Sequence, residues 1–291
     1  MPSIHISLSA ETIFTFMGIP VSNSLLTTWL VMAVLIILAL KVSSGIKLIP
    51  GYLQSIMEAI IGGIHDLFEE ILHENNAKFF PFLMTLFLFI IFNNWSGLLP
   101  GVGTIGIYEE EEVHAGIIRS ASASEVILAE EDKNAGESAV SREVKAQTDW
   151  FDGKSNEDQK IFVPLLRSGS ADLNTTLALA ILTMGYIQFA GLSALKMNYV
   201  KKFINISNPI NFVVGILELV SEFARIISFS FRLFGNIFAG EVLLTVIAFL
   251  MPLLAPIPFL GLELFVGFIQ ALVFPLLAAV FFSLAVSKEG H

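Results

Sequence analysis

The residues best suited to chemistry lie in one apolar stretch, residues 221–241, which reads SEFARIISFSFRLFGNIFAGE. It contains a cation at Arg232, an amide at Asn236 and a carboxylate at Glu241, within a run long enough to lie in a bilayer. A charge at the centre of a membrane helix costs ~2.5 kcal/mol or more, so such residues usually mark an ion or proton pathway. Nucleophilic or metal-dependent catalysis is not expected, since the chain has no cysteine and no HExxH motif.

Helical periodicity places these side chains on two faces. At 100° per residue, Ser228, Arg232 and Asn236 are four residues apart and share one stripe. Glu241 is nine residues after Arg232 and points almost the opposite way. This carboxylate is therefore not predicted to be a same-face partner of the arginine on a straight helix.

The last apolar segment carries Glu263 and Gln270, which are seven residues apart and share a face. We expect that face to meet Glu241 across a helical hairpin, forming a proton path beside the arginine. The alternative is that Glu241 and Glu263 are hydrogen-bonded packing residues. Asn236 and Gln270 could equally bridge helices, as polar side chains in membranes often do.

The elements that carry these residues are predicted to be membrane helices. Hydrophobic residues make up 55% of the 291 positions, charged residues only 14%, and the mean hydropathy is +0.76, too apolar for an ordinary soluble domain. The apolar runs are continuous, whereas the strands of a membrane barrel alternate. The predicted fold is all-α: a polytopic membrane protein with upright transmembrane helices, an amphipathic interfacial helix and a long, steeply tilted C-terminal hairpin.

The segments follow from apolar runs and their end signals. In chain order they are an outside N-terminal segment at 1–24, a transmembrane helix at 25–42, an amphipathic interfacial helix at 49–72, a transmembrane helix at 77–99, an acidic external insert at 104–170, a transmembrane helix at 173–195, a long tilted membrane helix at 210–249 and a tilted C-terminal helix at 259–286. The 210–249 run is nearly twice as long as a perpendicular span needs, so it must tilt, bend or lie partly outside. The polar face of 49–72 is acidic, which favours packing against protein over a lipid surface.

The net charge of -10 is concentrated in one loop. Residues 100–172 hold 15 acidic and 7 basic residues, while the rest of the chain is nearly balanced, so no nucleic-acid partner is expected.

Lysines after the first and third spans predict an outside N-terminus and a cytoplasmic C-terminus by the positive-inside rule. The N-terminus has no basic region before its first apolar run, so no cleavable signal peptide is expected.

Four sequence motifs carry a family resemblance. The run SFRLFGNIFAGE at 230–241 closely resembles the signature of subunit a of F-type ATP synthases, the membrane stator beside the rotating c-ring. The supporting motifs, in the order found in the family, are NNWSGLLPG at 93–101, DLNTTLALA at 172–180 and FIQALVFPLLAAVFFSLA at 268–285. The resemblance covers essentially all of the chain except the acidic insert, which is longer than the family leads us to expect.

The resemblance implies a role for each site residue. Arg232 matches the essential arginine that faces the c-ring carboxylate, and Glu241 matches the family's channel acid. Glu263 falls where members carry either an acid or a histidine. Asn236 and Gln270 match polar positions of two offset half-channels, through which protons would reach and leave the c-ring.

The resemblance also implies the setting. The chain would be a subunit that is not an enzyme on its own, with no cofactor or metal, in an energy-transducing membrane, most simply a bacterial plasma membrane. Its expected partners are the c-ring, the peripheral-stalk b subunits, the rest of the F1Fo complex and lipid. The choice between H+ and Na+ would lie largely in the c-subunit.

The alternative function is a proton- or ion-coupled secondary transporter, which would be expected to show two similar halves; the sequence has no internal repeat.

Overall fold

The computed structural model describes residues 10–16, 18–44, 47–99, 101–103, 105–110, 160–196, 199, 203, 209–251 and 254–287. The chain forms two compact units: Met1–His5 with Gly106–Val163, and a helical unit of Ile6–Ile105 with Pro164–His291. The two strands β3 and β4 described below pair in a small sheet. Most of the predicted acidic insert, residues 111–159, lies outside the described residues.

Long helices dominate the described part of the chain, which confirms the predicted all-α membrane class. The helices are α1 (Asn23–Ser44), α2 (Tyr52–Leu72), α3 (Asn76–Ser96), α4 (Leu173–Leu195), α5 (Pro209–Leu250) and α6 (Pro256–Val286). The strands are β1 (Thr12–Phe16), β2 (Ile19–Ser22), β3 (Gly106–Glu110) and β4 (Lys160–Pro164), and short 3-10 turns cover His73–Asn75 and Gly169–Ala171. The predicted helix bounds differ from these by three residues or fewer.

Five stretches of the described residues are long and apolar enough to cross a membrane. They are Asn23–Ser44, Gln54–Ser96, Leu173–Leu195, Ile210–Leu250 and Pro256–Val286. The second stretch combines α2 and α3, which follow each other through a single 3-10 turn. The N-terminal segment, expected only to lie outside, contains the antiparallel hairpin of β1 and β2 directly before α1.

Helix α2 packs against protein, as the acidic polar face of this amphipathic segment predicted. Its apolar side chains Ile64, Phe68 and Leu72 are buried in the same core as residues of α3 and α6. Glu69 and Glu70 lie on the exposed side. The helix therefore buries one stripe within the unit and leaves its acidic stripe outward.

The hairpin of α5 and α6 is held by the rest of the bundle. Helix α5 contains 42 residues, about 63 Å at 1.5 Å per residue, against a hydrocarbon core of about 30 Å. Helix α6 packs on α3, α4 and α5, and its small residues Ala271, Ala278 and Ala279 are fully buried. Small residues allow membrane helices to approach closely, and that close packing fixes where the polar groups of α5 and α6 meet.

A buried polar layer, formed by Ser24, Thr28, Asn93, Ser168 and Asp172, joins α1, α3 and the segment that leads into α4. The Ser24 hydroxyl donates to the Asp172 carboxylate at 2.8 Å, and the Ser168 hydroxyl donates to the Asn93 carbonyl at 2.9 Å. The Thr28 hydroxyl lies 3.5 Å from the Asn93 side-chain oxygen. Interhelical hydrogen bonds of this kind fix the helices in one register.

Two backbone features position α4 within this layer. Asp172 is the N-cap of α4, because its carboxylate accepts a hydrogen bond from the Asn174 backbone N–H at 3.0 Å. Just before it, Gly169 lies so close to Thr28 and Asn93 that a Cβ atom would overlap both side chains. A glycine is therefore needed where the chain passes between α1 and α3.

Candidate functional site

A cavity of about 460 Å³ opens between α3, α5, α6 and the segment that leads into α4. The charged residues that line it are Arg167, Glu241 and Glu263, and Asn94 and Thr245 add polar groups. The remaining lining side chains are mostly apolar, so the charged groups interact in a surrounding of low polarity. Electrostatic interactions are stronger there than in water.

Arg167 forms an ion pair with Glu241 inside this cavity. Its Nε atom donates to both carboxylate oxygens, at 3.1 and 3.2 Å, and its side chain is only 6% exposed. The Arg167 backbone N–H donates to the hydroxyl of Thr27 at 3.2 Å, and the guanidinium lies 5.8 Å from the ring centre of Phe238. The arginine is thus held by α1 and α5 together.

Arg167 was missed by the reasoning from sequence. The predicted insert extended to residue 170, whereas Pro164 and the residues after it belong to the helical unit. The available signal was the apolar run of residues 161–166, which ends the acidic composition before Arg167. A basic residue between that run and the first turn of a membrane helix is a candidate for burial.

Glu263 reaches the same cavity from α6. Its carboxylate lies directly against Gly240 of α5, where a Cβ atom would overlap it. The residue is buried, and its carboxylate forms no ion pair or hydrogen bond with any described residue. The structure therefore brings Glu241 and Glu263 to one cavity, and within the part of the chain that the structure describes Glu241 alone has a cationic partner there.

Gln270 does not lie in the cavity with Glu241, although it was expected there because it shares a face of α6 with Glu263. Its side-chain oxygen accepts a hydrogen bond from the Asn236 amide at 2.8 Å, and the side chain does not line the cavity. Seven residues along α6 cover about 10 Å, and the two helices of the hairpin run in opposite directions. Gln270 consequently meets Asn236, one turn before Gly240, and joins α5 to α6.

Arg232 points away from the cavity on the exposed side of α5. Its closest hydrogen-bonding contact is the Ser228 hydroxyl, at 3.5 Å, and no carboxylate pairs with it within the part of the chain that the structure describes. On other faces of α5 the side chains of Leu233 and Ser230 are buried, and Ser230 shares a hydrogen bond of 3.2 Å with Thr176 of α4. The Arg232 side chain is therefore accessible from outside the helical unit.

A cluster of charged residues, separate from the cavity and from Arg232, lies nearer the start of α5. Arg225 pairs with Glu222 at 2.5 Å and with Glu218 at 3.8 Å, and it stacks over the ring of Phe281 at 4.8 Å. Between α4 and α5, burial raises the pKa of Tyr199 to about 12, and the charge of Glu222 adds to that effect. Tyr199 therefore stays protonated at physiological pH.

Acidic side chains that open to a cavity, on helices long enough to cross a bilayer, define a class of protein that moves ions or protons through a membrane. Arg232 adds an exposed cation on the stretch of α5 that is long and apolar enough to cross a membrane.

Residues 25–283 match the family described as ATP synthase A chain, and the chain belongs to that family. A relative from Geotalea daltonii, named ATP synthase subunit a, is 28% identical over 270 residues, which is 93% of this chain and 90% of the relative. A second, of the same name and from Geotalea uraniireducens, is 27% identical with the same coverage.

Membership in this family confirms the resemblance seen in the motifs. The chain is a proton-translocating, non-catalytic subunit of the membrane sector of the ATPase, and a multi-pass membrane protein. The family does not favour the alternative of a secondary transporter.

Proposed function

We propose that this subunit couples proton flow to rotation of a c-ring, with Arg232 facing the ring carboxylate and the cavity of Glu241 and Glu263 as the proton entrance. The observation that carries the proposal is the position of Arg232. It is exposed on a helix able to span the membrane and has no carboxylate partner among the described residues. A cation in this setting requires a counter-ion from a neighbouring subunit.

The electrostatics of Arg232 suit a gate. The guanidinium attracts a deprotonated carboxylate on the ring and favours proton loss as each ring site arrives. It also repels a proton that would cross directly between the entrance and the exit. Arginine suits this role because it stays protonated at any physiological pH.

The proton path follows from the polar groups on either side of the gate. Protons enter from outside past Glu241 and Glu263, with the hydrogen-bonded pair of Asn236 and Gln270 between the cavity and the face of Arg232. They neutralise the ring carboxylate, which can then move into lipid at low cost.

After nearly a full turn of the ring the proton leaves on the cytoplasmic side. The polar groups available there are Ser221, Ser228 and the Arg225 end of α5. Each charge that crosses 100 mV contributes ~2.3 kcal/mol, so several crossings together can drive the synthesis of one ATP.

The proposed setting is a bacterial plasma membrane with the N-terminus outside and the C-terminus in the cytoplasm. The lysine distribution supports this orientation. Large apolar side chains remain exposed along α1 and α5, among them Ile36, Leu40, Val213 and Phe223, and these surfaces suit lipid and the b subunits of the peripheral stalk.

The decisive experiment replaces Arg232 by alanine. Arg232→Ala should assemble but lose ATP-driven proton pumping and ATP synthesis in membrane vesicles, because the cation proposed to separate the two paths is removed. Lys41→Gln is the matched control, since it removes an exposed cation at the end of α1 and should retain both activities. A normal rate of ATP synthesis by Arg232→Ala would refute the gate.

A further inference from the structure

Two buried hydroxyls meet between α4 and α5, close in sequence to Arg232. The side chains of Thr176 and Ser230 are fully buried, and their oxygen atoms lie 3.2 Å apart. The Thr176 hydroxyl also donates to the backbone carbonyl of Leu173, at 3.1 Å. Because a hydroxyl has a single proton, Ser230 is the donor in the bond between the two helices. This bond therefore has a defined direction, from α5 to the first turn of α4.

The position of Ser230 on α5 relates this bond to the exposed arginine. Ser230 comes two residues before Arg232, which places the two side chains about 200° apart around the helix. Arg232 and Asn236 are exposed on one stripe, whereas Ser230 is buried against α4. A turn of α5 about its own axis would therefore break the bond to α4 and redirect Arg232 at the same time.

We propose that Ser230 and Thr176 are positioning residues that fix the rotation of α5 and thereby direct Arg232 at the place proposed for the ring carboxylate. The inference rests on the proposed function of Arg232, and it adds the residues that hold this arginine in position. A side-chain tip ~6 Å from a helix axis moves ~2 Å when the helix turns by ~20°. A shift of that size weakens a short-range electrostatic interaction and impairs a step that depends on alignment.

Helix α5 is held from a second side by α6. The ring of Phe229 meets the edge of Phe274 with 4.8 Å between the ring centres, and the Asn236 amide donates to Gln270 at 2.8 Å. A helix that is held from one side can still turn, whereas directional contacts to two neighbours fix its rotation. The hydroxyl bond supplies the contact of this kind to α4, as the side-chain hydrogen bond that joins Leu173–Leu195 to Pro209–Leu250.

The test measures coupling in vesicles that contain the whole complex, as the number of protons pumped per ATP hydrolysed. Thr176→Val and Ser230→Ala each remove the bond, and each should lower this ratio about twofold or more, because a misaligned Arg232 lets protons slip between the two paths. The matched control is Thr183→Val. Thr183 is also fully buried on α4, but its hydroxyl donates within the helix, to the Leu179 carbonyl at 2.8 Å, so the ratio should stay normal.

A conservative variant separates positioning from packing. Thr176→Ser keeps the hydroxyl and loses a methyl group, whereas Thr176→Val keeps the volume and loses the hydroxyl. The proposed role predicts a normal ratio for Thr176→Ser and a low one for Thr176→Val, and a role in packing alone predicts the reverse order. Because the ratio is counted per ATP hydrolysed, a change in the amount of assembled complex does not alter it.

A covalent link tests the same point in a single preparation. The sequence has no cysteine, so Thr176→Cys combined with Ser230→Cys introduces the subunit's two thiols at the bonded positions. Oxidation to the disulfide, checked on a non-reducing gel, should give the normal ratio, and reduction should lower it to that of Ser230→Ala. This comparison stands even if Thr176→Val or Ser230→Ala fails to accumulate.

Three results would overturn the proposal. The first is a normal ratio in Thr176→Val or in Ser230→Ala, and the second is a ratio for Thr176→Ser or Thr183→Val as low as that of Thr176→Val. The third is a disulfide-linked protein that no longer pumps, since α5 would then have to turn against α4 during the cycle. If Arg232→Ala itself pumps with the normal ratio, the proposed function fails instead.

Discussion

Gly240 leaves α5 without a side chain where the Glu263 carboxylate lies against it. Any larger residue would have to displace either the carboxylate or the whole of α6. Displacement of α6 is not expected, because α6 is packed through buried Ala271 and Phe274 in the core. A substitution at Gly240 therefore acts on Glu263 itself.

We expect Gly240→Ala to assemble but to lose most ATP-driven pumping, since its methyl group would push the Glu263 carboxylate from its place. Glu263→Asp in the same protein should restore part of the activity, because the shorter side chain leaves room for the methyl group. Gly185→Ala is the control: this glycine is exposed on α4 and no atom lies within 4 Å of a Cβ built there. Unchanged pumping by Gly240→Ala would contradict the close contact.

The helices differ in what holds their ends. At the start of α4, Asp172 serves both as N-cap and as the acceptor of the Ser24 hydroxyl, so one carboxylate fixes the first turn of α4 and the neighbouring end of α1. At the other end of α1 the hydrogen bond found among the described residues is a local one, from the Ser44 hydroxyl to the Lys41 backbone carbonyl, and Ile36 and Leu40 are exposed there.

Asp172→Ala should destabilise the subunit by roughly 2 kcal/mol or more, because both the cap and a charge-assisted hydrogen bond are lost. The measurement is the temperature at which the detergent-solubilised complex loses this subunit. Asn174→Ala, next to it, changes an exposed side chain and leaves the backbone N–H that Asp172 accepts, so it should melt as the unaltered protein does. Equal melting of the two variants would show that Asp172 does not hold the end of α4.

The helices could be predicted because five of them are long apolar runs with clear end signals and α2 has the apolar period of an amphipathic helix. Such runs are local, and α4 even begins and ends at the predicted residues. The partners across the bundle could not be predicted in the same way. Arg167 and Glu241 are 74 positions apart, so no helical period links them, and Gln270 shares a face with Glu263 yet meets Asn236.

At the scale of the whole molecule, the helical unit has its own core, and Gly106–Val163 form part of the other unit. We therefore expect that replacing residues 111–159 by a short Gly/Ser linker leaves assembly and proton conduction near normal. The linker keeps the ends of β3 and β4 connected, and the comparison is the full chain in the same vesicles. A large loss of conduction with normal assembly would mean that the replaced residues act on the channel or on a partner.

When the ring turns, an equal and opposite torque acts on the stationary subunit beside it. This subunit must withstand that torque without moving. In the arrangement proposed above, a sideways force from the ring on Arg232 acts on α5, and Ser230 of that helix is hydrogen-bonded to Thr176 of α4. One turn earlier on α4, Asp172 passes that force to Ser24 of α1. Directional hydrogen bonds resist sliding better than apolar contacts do, so we expect this end of the bundle to deform less under load than the far ends of the helices.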